Sequence, residues 1–424
     1  MNNNKTIWKS KILGDFVSLQ RGHDLTNEER KNGNIPVYGA AGQNGFHNKA
    51  ITKAPGIVVG RCGGSFGQVH FVKQDYWPHN TALYVTDFKG NDPYFAYYLL
   101  KTLNFNALNS GSAQPSLNRN YLYPIIIKVP EPIVQKSIAS TLSSLDSKIE
   151  LNNHINTELD AIAKTIYDYW FVQFDFPNNE GKPYKRSGGK MVWNEELKKE
   201  IPEGWKDGTL SDISDLIRGV SYDANDIKSE SDEDVIPILR ATNISGNVID
   251  LNNMVYVPST NVSSKQLLKK FDILITMSSG SKEHIGKNGF FYFDKEVSFG
   301  AFCAKLVAKD EFQFYLYSYT QSDFMFNTIK NECLGTNINN LNSSLVKGFK
   351  IIIPPKELIK EFNKIAFQLY EKFGNNYKEN QQLSSLRDWL LPMLMNGQVR
   401  PLAPKGEQEM ERLMAAEPRV RYGE

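Results

Sequence analysis

Two kinds of loop carry the side chains with the greatest chemical reach, and each kind occurs twice. In the first half, Gly56-Ile57-Val58-Val59-Gly60 runs into Arg61-Cys62-Gly63-Gly64-Ser65-Phe66-Gly67-Gln68, and Ser110-Gly111-Ser112-Ala113-Gln114-Pro115 precedes Asn118-Arg119. In the second half, Asp272-Ile273-Leu274-Ile275-Thr276 is followed by Ser278-Ser279-Gly280-Ser281-Lys282, with Lys287 beyond, and later by Gly335-Thr336-Asn337-Ile338-Asn339-Asn340. An arginine fork pairs bidentately with guanine, and an Asn or Gln amide pairs with adenine. Glycine lets the backbone approach a phosphate closely. The candidate base-contacting residues are Arg21, Arg61, Ser65, Gln68, Gln114, Asn118 and Arg119 in the first half. In the second they are Arg218, Ser281, Lys282, Lys287, Asn337, Asn339 and Asn340. A single glycine-rich turn or loop arginine is weak evidence, since most are ordinary turns and solvated charges. Recurrence of both loops strengthens the loops more than any one residue.

Other chemistries lack their residues. An adenine methyltransferase needs an Asn/Asp-Pro-Pro-Tyr/Phe run and a glycine motif for its cofactor; Pro354-Pro355 stands between Ile353 and Lys356. No Gly-x-x-x-x-Gly-Lys-Ser/Thr loop for ATP occurs, and the glycine-rich stretch 60–67 lacks the Lys-Ser ending. The histidines His23, His47, His70, His79, His154 and His284 have no metal-ligand spacing and read as structural or surface residues. Cys62, Cys303 and Cys333 build neither a disulfide framework nor a zinc pair and read as free thiols in a reducing cytosol. Residues 1–10 are polar, so no secretory signal is read there. The longest apolar runs, such as Ile351-Ile352-Ile353, are strand-sized and too short to span a bilayer.

The elements that must position these loops emerge from an internal repeat. Trp8, Leu13, Asp15, Leu19, Arg21 and Gly22 recur as Trp205, Leu210, Asp212, Leu216, Arg218 and Gly219 at an offset of 197. Leu117-Asn118 and Pro130 recur as Leu341-Asn342 and Pro354 at an offset of 224. The second copy is therefore longer by 224 − 197 = 27 residues, and the acidic stretch 230–234 marks one insertion.

The larger offset continues through an apolar stripe of helical period. Ile138, Leu142, Leu145, Ile149, Leu159, Ile166 and Trp170 match Phe362, Ala366, Leu369, Phe373, Leu383, Leu390 and Leu394. Residues 132–172 would make roughly 60 Å of helix. Pro132 and Pro355 sit near the helix starts, and Gly397 follows the second as a stop.

Asparagines interrupt both stripes, at Asn152 and Asn156 and at Asn376 and Asn380. A polar residue in an apolar seam fixes register if it finds a polar partner. Antiparallel helices would set Asn152 against Asn380 and Asn156 against Asn376, whereas parallel ones would set Asn152 against Asn376. A slightly rotated stripe would leave all four in solvent. Connectivity favours the antiparallel arrangement, with one globular copy lying between the helices in sequence.

The domains expected are thus 1–130, a helix over 131–174, a connector over 175–204, a second globular copy over 205–354, a helix over 355–397 and a tail from 398 without an assigned role. The expected fold is α+β, with two similar globular domains separated by two long antiparallel coiled-coil helices in a pseudo-twofold internal repeat. Residues 1–130 carry 14 basic against 7 acidic side chains, and residues 205–354 carry 15 against 18. Only the first copy has a net attraction for phosphates, so partners would supply part of any grip on DNA.

On the repeat, the Gly-Ser-x-Gln-Pro stretch at 111–115, the proline-bounded helices, and the strings Tyr169-Trp170-Phe171-Val172-Gln173-Phe174 and Trp389-Leu390-Leu391-Pro392-Met393-Leu394-Met395-Asn396-Gly397, the chain resembles the specificity subunit of type I restriction–modification systems. The likeness covers nearly all of it except roughly the last 25 residues. The resemblance implies two target-recognition domains, each reading one half of a split site in double-stranded DNA. It implies helices that set the spacing and dock two methylation subunits using S-adenosylmethionine. Two motor–nuclease subunits using ATP and Mg²⁺ would join for cleavage. It implies no catalytic residue, no cofactor in this chain, no membrane and a cytoplasmic location. Two rival readings are a fused restriction enzyme with its own methylase or nuclease, and a two-headed scaffold that binds something other than DNA.

Overall fold

The computed structural model describes residues 8–108, 116–336 and 340–401, with the side chains of 282 and 332–336 left out. Two compact units divide the chain: one takes residues up to 150 and from 381 on, and the other spans 151–380.

In the first unit the strands are β1 (Lys9–Ile12), β2 (Ser18–Arg21), β3 (Ile35–Gly39), β4 (Gly42–His47), β5 (Gly56–Gly60), β6 (Val69–Val72), β7 (Trp77–Pro78), β8 (Ala82–Asp87) and β9 (Ile126–Val129). They form a four-stranded sheet ordered β2-β8-β5-β6, a three-stranded sheet ordered β4-β3-β7, and a β1-β9 pair. The central strand β5 reads Gly-Ile-Val-Val-Gly and is buried along its whole length. Continuous apolar sequence of this kind is what a strand covered on both faces requires. A helix over Pro93–Lys101 is started by Asp92, whose carboxylate accepts the Phe95 N–H at 2.9 Å, with proline in its first turn. Gln135, almost fully buried at the start of the first long helix, accepts from the Asp92 N–H and donates to Asn91 and Pro130. These bonds tie the long helix to the globular part of this unit.

The second unit repeats the plan. Its strands are β10 (Met191–Asn194), β11 (Lys199–Pro202), β12 (Lys206–Thr209), β13 (Ser214–Arg218), β14 (Val235–Leu239), β15 (Ile244–Ser245), β16 (Val248–Ile249), β17 (Val255–Pro258), β18 (Ile273–Thr276), β19 (Asn288–Phe290), β20 (Ser298–Phe299), β21 (Cys303–Ala308) and β22 (Lys350–Ile353). The sheets are β13-β21-β18-β19, β17-β14-β20 and β12-β22, strand for strand the order of the first unit. Two residues join β3 to β4, whereas β14 and β17 are separated by the extra β15-β16 hairpin. Much of the added length of the second copy lies there. The acidic residues 230–234 form an exposed turn just before β14.

Both copies share one close backbone approach. A Cβ on Gly22 would lie 2.1 Å from the His79 carbonyl oxygen, and one on Gly219 would lie 2.2 Å from that of Gly300. Only glycine fits at either place, which explains why this residue recurs at an offset of 197.

Residues 175–204 are folded rather than extended. Phe176 stacks on Tyr184 and on Trp205, with ring centroids 4.6 and 5.3 Å apart. The buried Asp175 pairs with Arg186 at 2.8 Å, and β10-β11 closes as a hairpin. The polar composition of this stretch conceals the few aromatics that anchor it.

The long helices span Pro132–Tyr167, continued by a π-helical turn over Asp168–Val172, and Lys356–Met395. Every apolar stripe position is buried or half-buried. Within the second unit the helices run antiparallel. Asn152 donates to Asn380 at 2.9 Å and to Glu379 at 2.8 Å, Asn376 donates to Asn156 at 2.9 Å, and Asn380 donates to Asn153 at 2.8 Å. All four seam asparagines are buried. Within the first unit the sense is the same: Arg387 donates to Asp146 at 2.8 Å, and the Tyr98 hydroxyl donates to the other oxygen of that carboxylate at 2.5 Å. Burial of Tyr98 and its bond to Asp146 push the phenol pKa well up, so it remains a donor across the ordinary pH range.

A buried amide without a partner costs about 1–3 kcal/mol. Asn152→Leu alone should therefore destabilise the seam, because it removes the donor to the Asn380 amide oxygen and the Glu379 carboxylate. Asn152→Leu combined with Asn380→Leu should recover much of that loss but widen register. Paired cysteine labels across the helices, read by electron–electron distances, should broaden in the double variant. An unchanged distribution would count against a register role.

Candidate nucleic-acid interface

In the first unit three chain segments meet at one cleft of about 570 Å³. The end of β2 supplies Arg21, His23 and Asp24, the residue after β5 is Arg61, and a third segment brings Asn118 and Arg119. Backbone pairing holds them: Cys62 bridges Ser116, the Leu117 N–H donates to the Arg61 carbonyl at 2.8 Å, and His23 bridges His79. The Arg61 N–H is fixed on the Thr81 carbonyl at 2.9 Å, so its side chain starts from a rigid point.

The arginine heads are held to different degrees. Arg21 lies 3.5 Å from Asp24, both exposed, a contact that water and salt screen readily. Arg61 reaches the Asn80 carbonyl at 3.4 Å, near the limit of a hydrogen bond. Arg119 donates to the Leu19 carbonyl at 3.2 Å, and the Asn118 side chain caps a short turn by accepting the Asn120 N–H, so both have structural tasks. Ser65 and Gln68 lie on the turn beyond β5 and do not line this cleft. Gln114 falls outside the described residues. Behind the cleft, burial lowers the pKa of His79, keeping a neutral ring against the Thr81 hydroxyl at 3.1 Å.

The second unit forms the equivalent cleft, about 440 Å³, by the same pairing. Ser278 bridges Asn340 as Cys62 bridges Ser116, and Val220 bridges Gly300 as His23 bridges His79. Its lining is different: Tyr222, Arg240, Thr242, Ser278, Ser279 and Phe302. Arg218 is exposed at the end of β13, and Asn340 is exposed beside Ser278. Ser281 is exposed, and Lys287 is half-buried with its ammonium 2.9 Å from His284. The side chain of Lys282, and Asn337 and Asn339 entirely, fall outside the described residues. The sequence reading missed Arg240, Tyr222 and Phe302. The offset between copies drifts along the loops, so these residues have no counterpart at a fixed spacing. Cys303, beside this cleft, is a free buried thiol pushed up to about 12 by burial and therefore uncharged.

Among the described residues no cluster of His, Cys, Asp and Glu could hold a metal ion. Among them also, no helix is long and apolar enough to cross a membrane.

Residues 6–161 and 202–385 match the family model of the type I restriction modification DNA specificity domain. This chain belongs to that family. Its two matched segments correspond to the two copies of the repeat, so the type I specificity subunit carries the domain twice. The chain is 28% identical over 311 residues to the type I restriction enzyme MjaIX specificity subunit of Methanocaldococcus jannaschii, covering 72% of this chain and 69% of that one. It is 36% identical over 205 residues to the EcoKI specificity subunit of Escherichia coli, covering 47% and 44%. The crystal structure of a type I S subunit from M. genitalium superposes with a TM-score of 0.62 at 21% identity, over 93% of this chain and 97% of that one. At that identity the likeness concerns the fold. The specificity subunit is the non-catalytic, DNA-recognising component of its restriction–modification system, which accords with two clefts lined by hydrogen-bonding and basic side chains.

Proposed function

We propose that the two clefts are the base-reading surfaces and that each takes one half of a split, asymmetric sequence in double-stranded DNA. The observation that carries this reading is the repetition of one assembly with different side chains. Three homologous segments meet in each copy, yet Arg61 corresponds to Met277, and Arg119 corresponds to Ser343. A shared scaffold with unlike linings is what two unlike half-sites require.

On this reading the modules span 1–130 and 205–354. Arg21, Arg61, Asn118 and Arg119 face bases or phosphates of one half, and Ser65, Gln68 and Gln114 are proposed as further contacts of that half. For the other half the cleft itself offers Tyr222, Arg240, Ser278, Ser279 and Phe302. Arg218, Ser281, Lys287 and Asn340, which are not among its lining residues, are proposed as further contacts of that half, together with Lys282, Asn337 and Asn339. The helices over 131–174 and 355–397 fix the distance between half-sites and dock two methylation subunits. S-adenosylmethionine binds in those subunits, and two motor–nuclease subunits bring ATP and Mg²⁺. The assembly works in the cytoplasm.

Mapping methylated adenines in DNA from cells carrying this subunit and its methylation partner tests the proposal. A split motif with unlike halves is expected. Exchanging residues 1–130 for the first module of a relative should change one half only; a change in both halves would defeat the modular reading.

A further inference from the structure

The backbone lock at the mouth of each cleft is the same, but what it displays is not. In the first copy the Thr81 carbonyl accepts the Arg61 N–H at 2.9 Å; in the second the Phe302 carbonyl accepts the N–H of Met277 at 2.8 Å and of Ser278 at 3.1 Å. Thr81 and Phe302 are therefore equivalent, as are Arg61 and Met277. Thr81 turns its hydroxyl inward, accepting the Ala40 N–H at 3.2 Å and lying 3.1 Å from His79. Phe302 instead points out, with 69% of its surface exposed, whereas Met277 is fully buried. The first cleft thus presents a cation where the second has none, and the second presents an aromatic ring where the first has a satisfied hydroxyl.

An exposed phenylalanine on its own means little. This one is held by two backbone hydrogen bonds at the edge of a cleft whose other walls include Tyr222 and Ala301, and whose polar groups include Thr242, Ser278, Ser279 and Arg240. In the major groove the apolar feature a protein can read is the thymine 5-methyl group, and phenylalanine is one of the side chains that packs on it. We propose that Phe302 determines specificity in the second half-site by packing against the 5-methyl group of a thymine. The inference rests on the reading of the two clefts given above.

The test uses the subunit assembled with its methylation partner and synthetic duplexes carrying the mapped motif. Each thymine of the second half is replaced in turn by deoxyuridine, which removes only the methyl group. Burying one methyl is worth about 0.8 kcal/mol, or roughly a four-fold change in affinity. One deoxyuridine position should weaken binding of the parent assembly by about that factor. Phe302→Ala should bind the thymine duplex more weakly and show no further loss at that position, and Phe302→Leu should retain part of the discrimination. A second half-site without an A·T pair, no sensitive position, or a Phe302→Ala assembly that keeps the full deoxyuridine penalty would each overturn the proposal. Arg240→Ala and Tyr222→Ala separate this from the broader reading. If they alter base preference in the second half while Phe302→Ala does not, the cleft reads DNA and the thymine contact is wrong. If none of the three alters any preference, the cleft reading itself fails.

Discussion

Lys305→Met should destabilise the second unit by about 3–5 kcal/mol, the cost of leaving one member of a buried ion pair uncompensated. Lys305 lies on β21 and donates to Asp272 at 2.8 Å and to the Leu267 carbonyl at 2.7 Å, with the two side chains 5% and 9% exposed. Asp272 also accepts the Lys269 N–H at 2.9 Å, so the carboxylate organises the loop that leads into β18. The position equivalent to Lys305 in the first copy is Tyr84, paired across from Val58 as Lys305 is from Leu274. The fold therefore does not demand an ion pair there. Lys305→Met combined with Asp272→Leu should accordingly recover most of the loss, as apolar replacements of whole buried pairs often do. Urea unfolding followed by fluorescence measures both variants, with the transitions of the two units analysed separately. A single variant as stable as the parent would show that water reaches the pair.

Arg21→Ala combined with Arg61→Ala should weaken binding to the cognate duplex by about 2–6 kcal/mol if each arginine makes a bidentate base contact, at about 1–3 kcal/mol apiece. The loss should be confined to the cognate sequence, and preference should relax at one or two base pairs of the first half. Both guanidinium groups are available for such contacts, Arg21 in a screened surface pair and Arg61 at the end of a 3.4 Å contact. Titrations at several salt concentrations distinguish the alternative. If these arginines meet phosphates, affinity should fall uniformly for all sequences and the salt dependence should flatten by about one unit for each lost contact. Unchanged binding to every duplex would remove both residues from the interface.

Much of the architecture is legible in the chain because its determinants are periodic or duplicated. The apolar stripe of each long helix recurs every three or four residues, and a helix places such residues on one face whatever surrounds it. The seam asparagines sit symmetrically about the helix midpoints, so the antiparallel pairing of Asn152 with Asn380 and Asn156 with Asn376 follows once the direction is chosen. Gly22 and Gly219 are marked as equivalent by a constant offset, and each meets a carbonyl that no side chain could approach. The folded state of residues 175–204 was hidden, because two well-placed aromatics, Phe176 and Tyr184, packed with Trp205 just beyond, count for little in a polar average.

The sequence by itself determined the doubling, the apolar stripes with their seam asparagines, and the chain segments that recur in each copy. These depend on local period and on repetition, which a linear pattern records. The antiparallel direction was read from the fold. Tertiary structure alone decided which side chains share a cleft. It joined Arg21, Arg61 and Asn118 across nearly a hundred residues of chain, set Ser65 and Gln68 apart from them, and turned Phe302 outward where Thr81 turns in. The direction of a side chain at a loop end depends on which distant N–H groups hold its backbone, and no spacing within the sequence encodes that pairing.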